Sequence, residues 1–327
     1  QEAYEQARTY CMVVLGGIIG TLGYNMNSGI MRGLGDSRTP LIFLFIACVI
    51  NIVLDLVFII VFRMGAAGAA YATVIAQGIS AVCCLIYIVK RFPILHLERK
   101  DFEICWDSFG RLLKLGIPMG LQFSITAIGT IIVQSAVNIY GPVHMAGFSA
   151  AGKIQNIFAT VFTAFGATIA TYVGQNRGAG KMDRVKQGVR YTQMMVLGWS
   201  VFVMFLMFFF GKYLTYLFVD PSEQDVVNVS VTYFRTVFWA YPFLGSIFLY
   251  RNTLQGMGYG LVPMLGGVFE LVARTGIVVL IAGHTSFAGV CMADPTAWIA
   301  ALIPLIPYYF HVMKKYKNKS QVQVVED

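Results

Sequence analysis

The sequence predicts an all-α integral membrane protein, arranged as a two-lobed helical bundle with parallel internal repeats. Three observations predict it. Of 327 residues, 57% are hydrophobic and 12% charged, so a water-soluble fold would leave much of its apolar surface in solvent. Apolar runs of about 20 residues, enough to cross about 30 Å of hydrocarbon, recur along the whole chain. A loop motif also returns 223 residues after its first appearance and marks two related halves.

The runs fall at 10–31, 40–62, 68–89, 116–139, 146–172, 192–210, 229–250, 263–282 and 296–313, about nine spans. None alternates with the period of two that a membrane barrel needs, so the spans read as helices whose backbone groups are satisfied internally. Pro118, Pro242, Pro304 and Pro307 fall inside them and predict kinks. The domain reading is 1–100 for the second half of an N-terminal lobe, 101–115 for a cytoplasmic linker, and 116–327 for a C-terminal lobe and tail.

Charge placement sets an expected topology. Counting loops alternately, Arg8, Arg63 and Lys212 fall on one side. Arg32, Arg38, Lys90, Arg91, Arg99, Lys100, Arg177, Lys181, Arg251 and the tail lysines up to Lys319 fall on the other. The positive-inside rule makes the second side cytoplasmic, with the C-terminus inside and the protein multi-pass in the cell membrane. The net charge of +8 therefore marks topology, and no nucleic-acid partner is expected. Six cysteines (Cys11, Cys48, Cys83, Cys84, Cys105 and Cys291) form no C-x-x-C pair and read as small core residues. His96, His144, His284 and His311 lack ligand spacing, so no enzyme active site and no cofactor are expected.

The repeat sets R-G-L-G-D-S-R-T-P (Arg32 to Pro40) against Q-G-M-G-Y-G-L-V-P (Gln255 to Pro263). Gly33, Gly35 and Pro40 fall on Gly256, Gly258 and Pro263, and Tyr10 falls on Tyr233. A second match, shifted by two residues, sets Gly68 to Thr73 against Gly289 to Asp294. Six helices separate the copies, an even number, which gives both the same orientation in the membrane. If the second half begins near Phe109, the first half would begin before Gln1. The expectation is a chain lacking three of twelve helices.

The residues also resemble a known family. Met31 to Asp55 (M-R-G-L-G-D-S-R-T-P-L-I-F-L-F-I-A-C-V-I-N-I-V-L-D) is similar to the fourth-to-fifth helix region of multidrug and toxic compound extrusion (MATE) transporters. Gly166 to Lys181 (G-A-T-I-A-T-Y-V-G-Q-N-R-G-A-G-K) resembles their eighth helix and the loop after it. Leu249 to Gly258 and Phe269 to Arg274 add further likeness. The resemblance implies two six-helix lobes facing a central cavity, with helices four to twelve present here. It implies a monomeric antiporter that exports amphiphilic organic cations, driven by inward flow of Na+ or H+.

Asn51 and Asp55 stand four residues apart in one apolar run, one turn apart on the same helix face. An acid inside the membrane faces a polar cavity or partner by default, which makes Asp55 a functional candidate. The resemblance assigns Asn51, Asp55 and Thr73 to an ion-coupling site. Their oxygens suit an alkali cation, and a desolvated Asp equally suits a proton. Glu270 and Arg274 are four apart on another helix, a spacing at which the two could pair. With Gln122, Lys153 and Tyr250 they are the candidate substrate-cavity residues. Some family members carry acids on the seventh and tenth helices. This chain has Gln122 near the first position and no acid between Asn228 and Tyr250, which moves ion coupling to Asp55.

Aromatic residues, among them Phe158, Phe162, Tyr172, Tyr241 and Tyr250, lie on helices the resemblance places at the cavity, where ring faces hold organic cations. Two alternatives stand beside multidrug export. One is a flippase of lipid-linked saccharide, which needs Arg and Lys in its cavity, whereas here the basic residues lie mostly in loops. The other is an inactive truncated product.

Overall fold

The computed structural model describes residues 2–95, 103, 105–281 and 286–326, with side chains placed from 4 to 316 within those ranges. Arg99, Lys100, His96 and His284 lie outside the described residues, as do the side chains of Lys317 and Lys319. The chain divides into two compact units, Gln1–Ile104 and Cys105–Asp327.

Among the described residues, unit 1 holds the α-helices α1 (Glu2–Gly16), α2 (Ile18–Gly33), α3 (Arg38–Leu56, continued by a π turn over Val57–Val61) and α4 (Gly65–Arg91). The span expected as one helix over 10–31 is broken at Gly17, where α1 and α2 meet at 46°. Small residues explain the break and the packing. A Cβ on Gly17 would sit 2.3 Å from Val74 of α4, and one on Gly20 would sit 3.2 Å from the Gly78 backbone. Removing side chains at these points lets two helices touch backbone to backbone, which is how helices associate in lipid. A small core of Tyr24, Met31, Cys84 and Ile88 closes the end nearest the α2–α3 turn.

Unit 2 holds α5 (Trp106–Asn138), α6 (Pro142–Gly178), α7 (Met182–Thr215), α8 (Gln224–Val237), α9 (Tyr241–Gly256), α10 (Leu261–Ile281), a short α11 (Phe287–Cys291) and α12 (Ala293–Glu326). Helix α5 begins inside the stretch expected as linker, at Trp106. The span expected over 229–250 is divided between α8 and α9 by a 3-10 turn at Phe238–Ala240. Pro242 thus opens α9 instead of kinking it, since proline at a first helical turn loses no hydrogen bond. Among the described residues, seven helices are long and apolar enough to cross a membrane, or eight counting α1 with α2, where the sequence predicts about nine. The difference is the α8–α9 span, whose two pieces are each too short to pass alone.

The repeat is visible in the secondary structure. Ile18 and Tyr241, which start α2 and α9, are 223 residues apart, as are their ends Gly33 and Gly256 and the starts Arg38 and Leu261 of the following helices. The turns match bond for bond. Leu34 N–H donates to Ile30 O, Gly35 to Arg32 O and Asp36 to Met31 O; Met257 donates to Thr253 O, Gly258 to Gln255 O and Tyr259 to Leu254 O. Gly35 at φ 95° and Gly258 at φ 78° supply the left-handed residue that closes each turn. The same pattern caps α6, with Gly180 at φ 71°.

Most of the large apolar side chains of α3 point away from the protein, including Leu41, Phe45, Ile52 and Leu56. On a spanning helix this is the lipid face. The cysteines depart from expectation. Only Cys84 and Cys291 are buried, while Cys11, Cys48 and Cys105 are exposed and all six are free. An exposed thiol on an apolar span meets lipid, so small size did not require a place in the core.

Candidate functional site

Helix α3 covers one line of residues and leaves the rest to lipid. Ala47, Asn51 and Asp55, each one turn beyond the last, lie on the covered line. Nδ2 of Asn51 and Oδ1 of Asp55 are fully enclosed and have no hydrogen-bond partner. On α4, which packs against α3, Thr73 is half-buried, and its hydroxyl donates to Ala69 O at 2.9 Å. Three further polar groups missed in the sequence reading share this condition in unit 1: Ser28 Oγ on α2, and Gln77 Oε1 and Ser80 Oγ on α4. A signal for Gln77 was available, since it stands one turn from Thr73 on the same face. Polar groups enclosed without partners are costly, on the order of 1–3 kcal/mol each, and they occur in both units, with side-chain atoms of Gln193, Tyr241, Arg251, Thr253 and Arg274 in unit 2.

Unit 2 treats its buried charges differently. Glu270 does not pair with Arg274. Its Oε2 lies 3.3 Å from Nη2 of Arg251 on α9 and also accepts from the Thr126 hydroxyl on α5 at 3.3 Å. Arg274 instead reaches α12, where its Nη2 lies 3.2 Å from Asp294 Oδ1. The spacing of four put Glu270 and Arg274 on one face of α10, but that face meets several helices, and each charge finds a partner on a different one. Arg251, counted from sequence among the cytoplasmic loop charges, is buried within α9. Asp294, which the repeat had matched to Thr73 and nothing had marked as functional, accepts a hydrogen bond at Oδ2 from the Tyr233 hydroxyl at 2.8 Å, and that hydroxyl also contacts Gln155 Oε1.

The other candidates separate. Gln122 is buried, and its Oε1 accepts from Gln255 Nε2 at 3.0 Å. Tyr250 is half-buried with its ring 5.2 Å from Tyr309. Lys153 is exposed and its ammonium lies 5.6 Å from the Phe218 ring, apart from the ion pairs. Phe162 and Tyr241 are buried against each other in the unit 2 core, and Tyr172 donates to Arg184 O, so these aromatics serve packing. Among the described residues no three His, Cys, Asp or Glu side chains form a metal cluster.

Outside the spans, local hydrogen bonds tune acidity. Burial raises the Asp36 carboxyl, but donors at Thr39, Arg38 and Tyr87 outweigh it and hold the group below its ordinary range. Ser108 hydrogen-bonds Cys105 and lowers its thiol.

Helices of spanning length, with lipid-facing apolar surfaces and most embedded charges paired on covered faces, define a polytopic helical membrane protein. The MatE family model matches residues 1–57 and 118–280, and the chain belongs to that family. It is 36% identical over 256 residues to the Probable multidrug resistance protein YpnP of Bacillus subtilis (strain 168), covering 77% of this chain and 56% of that protein. It is 26% identical to the Probable multidrug resistance protein NorM of Thermotoga maritima, covering 81% of this chain and 57% of that one. The chain thus spans less than two thirds of the length of these relatives. Its fold matches a multidrug resistance MATE family transporter of the MOP superfamily solved in an outward-facing conformation, with TM-score 0.89 at 22% identity over 97% of this chain and 71% of that one. A MOP superfamily transporter from Pyrococcus furiosus matches at TM-score 0.90 and 22% identity, over 97% and 72%.

Proposed function

We propose that the protein is a secondary antiporter that exports amphiphilic or cationic organic compounds in exchange for Na+ or H+. We place the coupling ion at Asp55, with Asn51 and Thr73 beside it. The observation that carries this reading is Oδ1 of Asp55, near the C-terminal end of α3 and inside the apolar span Arg38–Val61, which is enclosed with no hydrogen-bond partner and no ion pair among the described residues. An unneutralised acid there has two ways to reduce its cost, a proton or a bound cation, and each is a coupling mechanism. The oxygens of Asn51 and Thr73 add hard ligands for a cation. Membership of the family and the multidrug names of its relatives support the substrate class. The C-terminus is proposed to be cytoplasmic and the protein monomeric.

The flippase alternative finds less support than it first had. Two arginines do lie inside unit 2, but Arg251 and Arg274 are neutralised by Glu270 and Asp294, so these pairs offer no net positive charge to a pyrophosphate.

The test is Asp55→Asn, which keeps size and removes the charge. In cells or proteoliposomes carrying the protein, efflux of a fluorescent cation driven by a sodium or proton gradient should fall to background. Asn51→Ala should reduce it less, because it removes one neutral group. Undiminished efflux by Asp55→Asn at equal expression would place coupling elsewhere.

A further inference from the structure

Helix α7 is longer than the hydrocarbon it crosses. Its 34 residues rise about 50 Å, against about 30 Å for the apolar layer of a bilayer. One exposed line on it, at steps of four and seven residues, runs from Lys186 and Arg190 through Met194, Val201 and Phe208 to Lys212. Arg190 and Lys212 stand 22 residues apart, about 33 Å along the axis. That distance brackets the hydrocarbon, so Lys186 to Tyr191 lie at the depth of the headgroups of one leaflet.

At that depth an open groove of about 340 Å³ follows α7, lined by Asp183, Lys186, Gln187, Arg190, Tyr191 and Met194. Neither Lys186 nor Arg190 enters an ion pair among the described residues. Two cations stand in the lining against the single carboxylate of Asp183, and the exposed Lys181 and Arg184 beside it add to the positive field. Gln187 Nε2 donates to the Tyr191 hydroxyl at 3.3 Å, which holds amide and phenol together and leaves the phenol O–H as a donor. A guanidinium fork, an ammonium and a phenol O–H match the oxygens of a phosphate. Toward the bilayer centre the same line continues in Met194 and Val201, 52% and 61% exposed, apolar side chains that an acyl chain covers and a soluble phosphate does not.

We infer that this face of α7 is a binding site for an anionic phospholipid, its phosphate on Lys186 and Arg190 and an acyl chain along Met194 and Val201. A headgroup with net negative charge is favoured over a choline headgroup, whose own cation meets two more in the groove. In the proposed orientation the lipid belongs to the cytoplasmic leaflet. The far end of α7 lacks the arrangement, since Lys212 has Phe208 and Tyr216 one turn to either side and no second cation. One end of the helix is therefore tied to the headgroup layer, and lipid charge sets how firmly unit 2 is held. The inference is independent of the coupling ion and of the exported compound.

The experiment is thermal unfolding of the full chain in detergent, titrated with phosphatidylglycerol, phosphatidylcholine or soluble glycerol phosphate. Phosphatidylglycerol should raise Tm by about 2–4 °C at saturation and the other two should not. Each cation near an anionic lipid is worth about fivefold in binding, so Lys186→Gln/Arg190→Gln should raise the phosphatidylglycerol needed for half the shift on the order of 20–30-fold. Without lipid this variant should unfold at the wild-type temperature, because the replaced side chains are exposed. Lys186→Arg/Arg190→Lys and Lys212→Gln should both keep the wild-type response. Native mass spectrometry of the wild type gives a reading that needs no variant: phosphatidylglycerol should be retained over phosphatidylcholine. Equal stabilisation or retention of the two lipids overturns the inference, and a shift produced by glycerol phosphate makes the groove a site for free phosphate instead. An undiminished response in Lys186→Gln/Arg190→Gln, or an equal loss in Lys212→Gln, overturns it as well.

Discussion

Gly33 and Gly256 end equivalent helices in the two halves, yet their surroundings differ. A Cβ on Gly33 meets nothing within 4 Å, whereas one on Gly256 would lie 2.5 Å from the carbonyl oxygen of Ala170 on α6. Gly33→Ala should therefore be neutral, or stabilising by about 0.5–1 kcal/mol through the lower entropy of the unfolded chain. Gly256→Ala must push α6 and α9 apart and should cost about 1–3 kcal/mol. Thermal unfolding of the two variants in detergent checks the contrast, and equal effects would refute it. A second residue-scale expectation concerns acid. Because Asp36 has a folded value held below its ordinary 3.8, its capping bonds contribute stability that is fully present above that value and is lost as pH falls through the lower folded value. The Tm of Asp36→Asn should fall less steeply than wild type on the acid side of pH 3.8 and run parallel to it above.

At the scale of elements, the pair between α9 and α10 joins two helices through charges with side chains 10% and 5% exposed, Arg251 and Glu270. Breaking one partner leaves the other enclosed and uncompensated. Glu270→Gln should cost about 3–5 kcal/mol, while the double replacement Arg251→Met with Glu270→Leu should recover most of that loss. A double-mutant cycle on unfolding midpoints measures this. If the double variant were as unstable as the sum of the singles, the pair would not be the joining contact. The stretch 229–250, read from hydropathy as one span, is divided in the structure between α8 and α9. Their span carries Arg235 and Arg251 and is divided by a 3-10 turn, which shortens each apolar stretch below bilayer thickness.

Across the whole molecule, topology is open to a direct test through a native residue. Cys105 is exposed at the start of α5 and its thiol is shifted down by Ser108, so more of it is thiolate near neutral pH than for an ordinary cysteine. The positive-inside rule puts this segment in the cytoplasm together with the α6–α7 turn. An impermeant maleimide should label Cys105 in inside-out vesicles and leave it unmodified in intact cells, and a cysteine placed at Lys181 should behave alike. Labelling of either from outside would invert the orientation.

The amino-acid order by itself determined the solvent, because composition and run length demand lipid whatever the packing. It also determined the two-fold plan, since a turn that needs a left-handed glycine at Gly35 needs one again at Gly258. Family membership was legible for the same reason, as it rests on local motifs. What only the tertiary structure decided is which charges meet. Spacing placed Glu270 and Arg274 on one face of α10, but pairing is set by what each side chain finds across the helix interface. There Arg251 and Asp294, distant in sequence, supply the partners. Ion pairing follows distance in space, which falls steeply with every ångström in low dielectric, and no local pattern along a helix encodes the residue that stands opposite it.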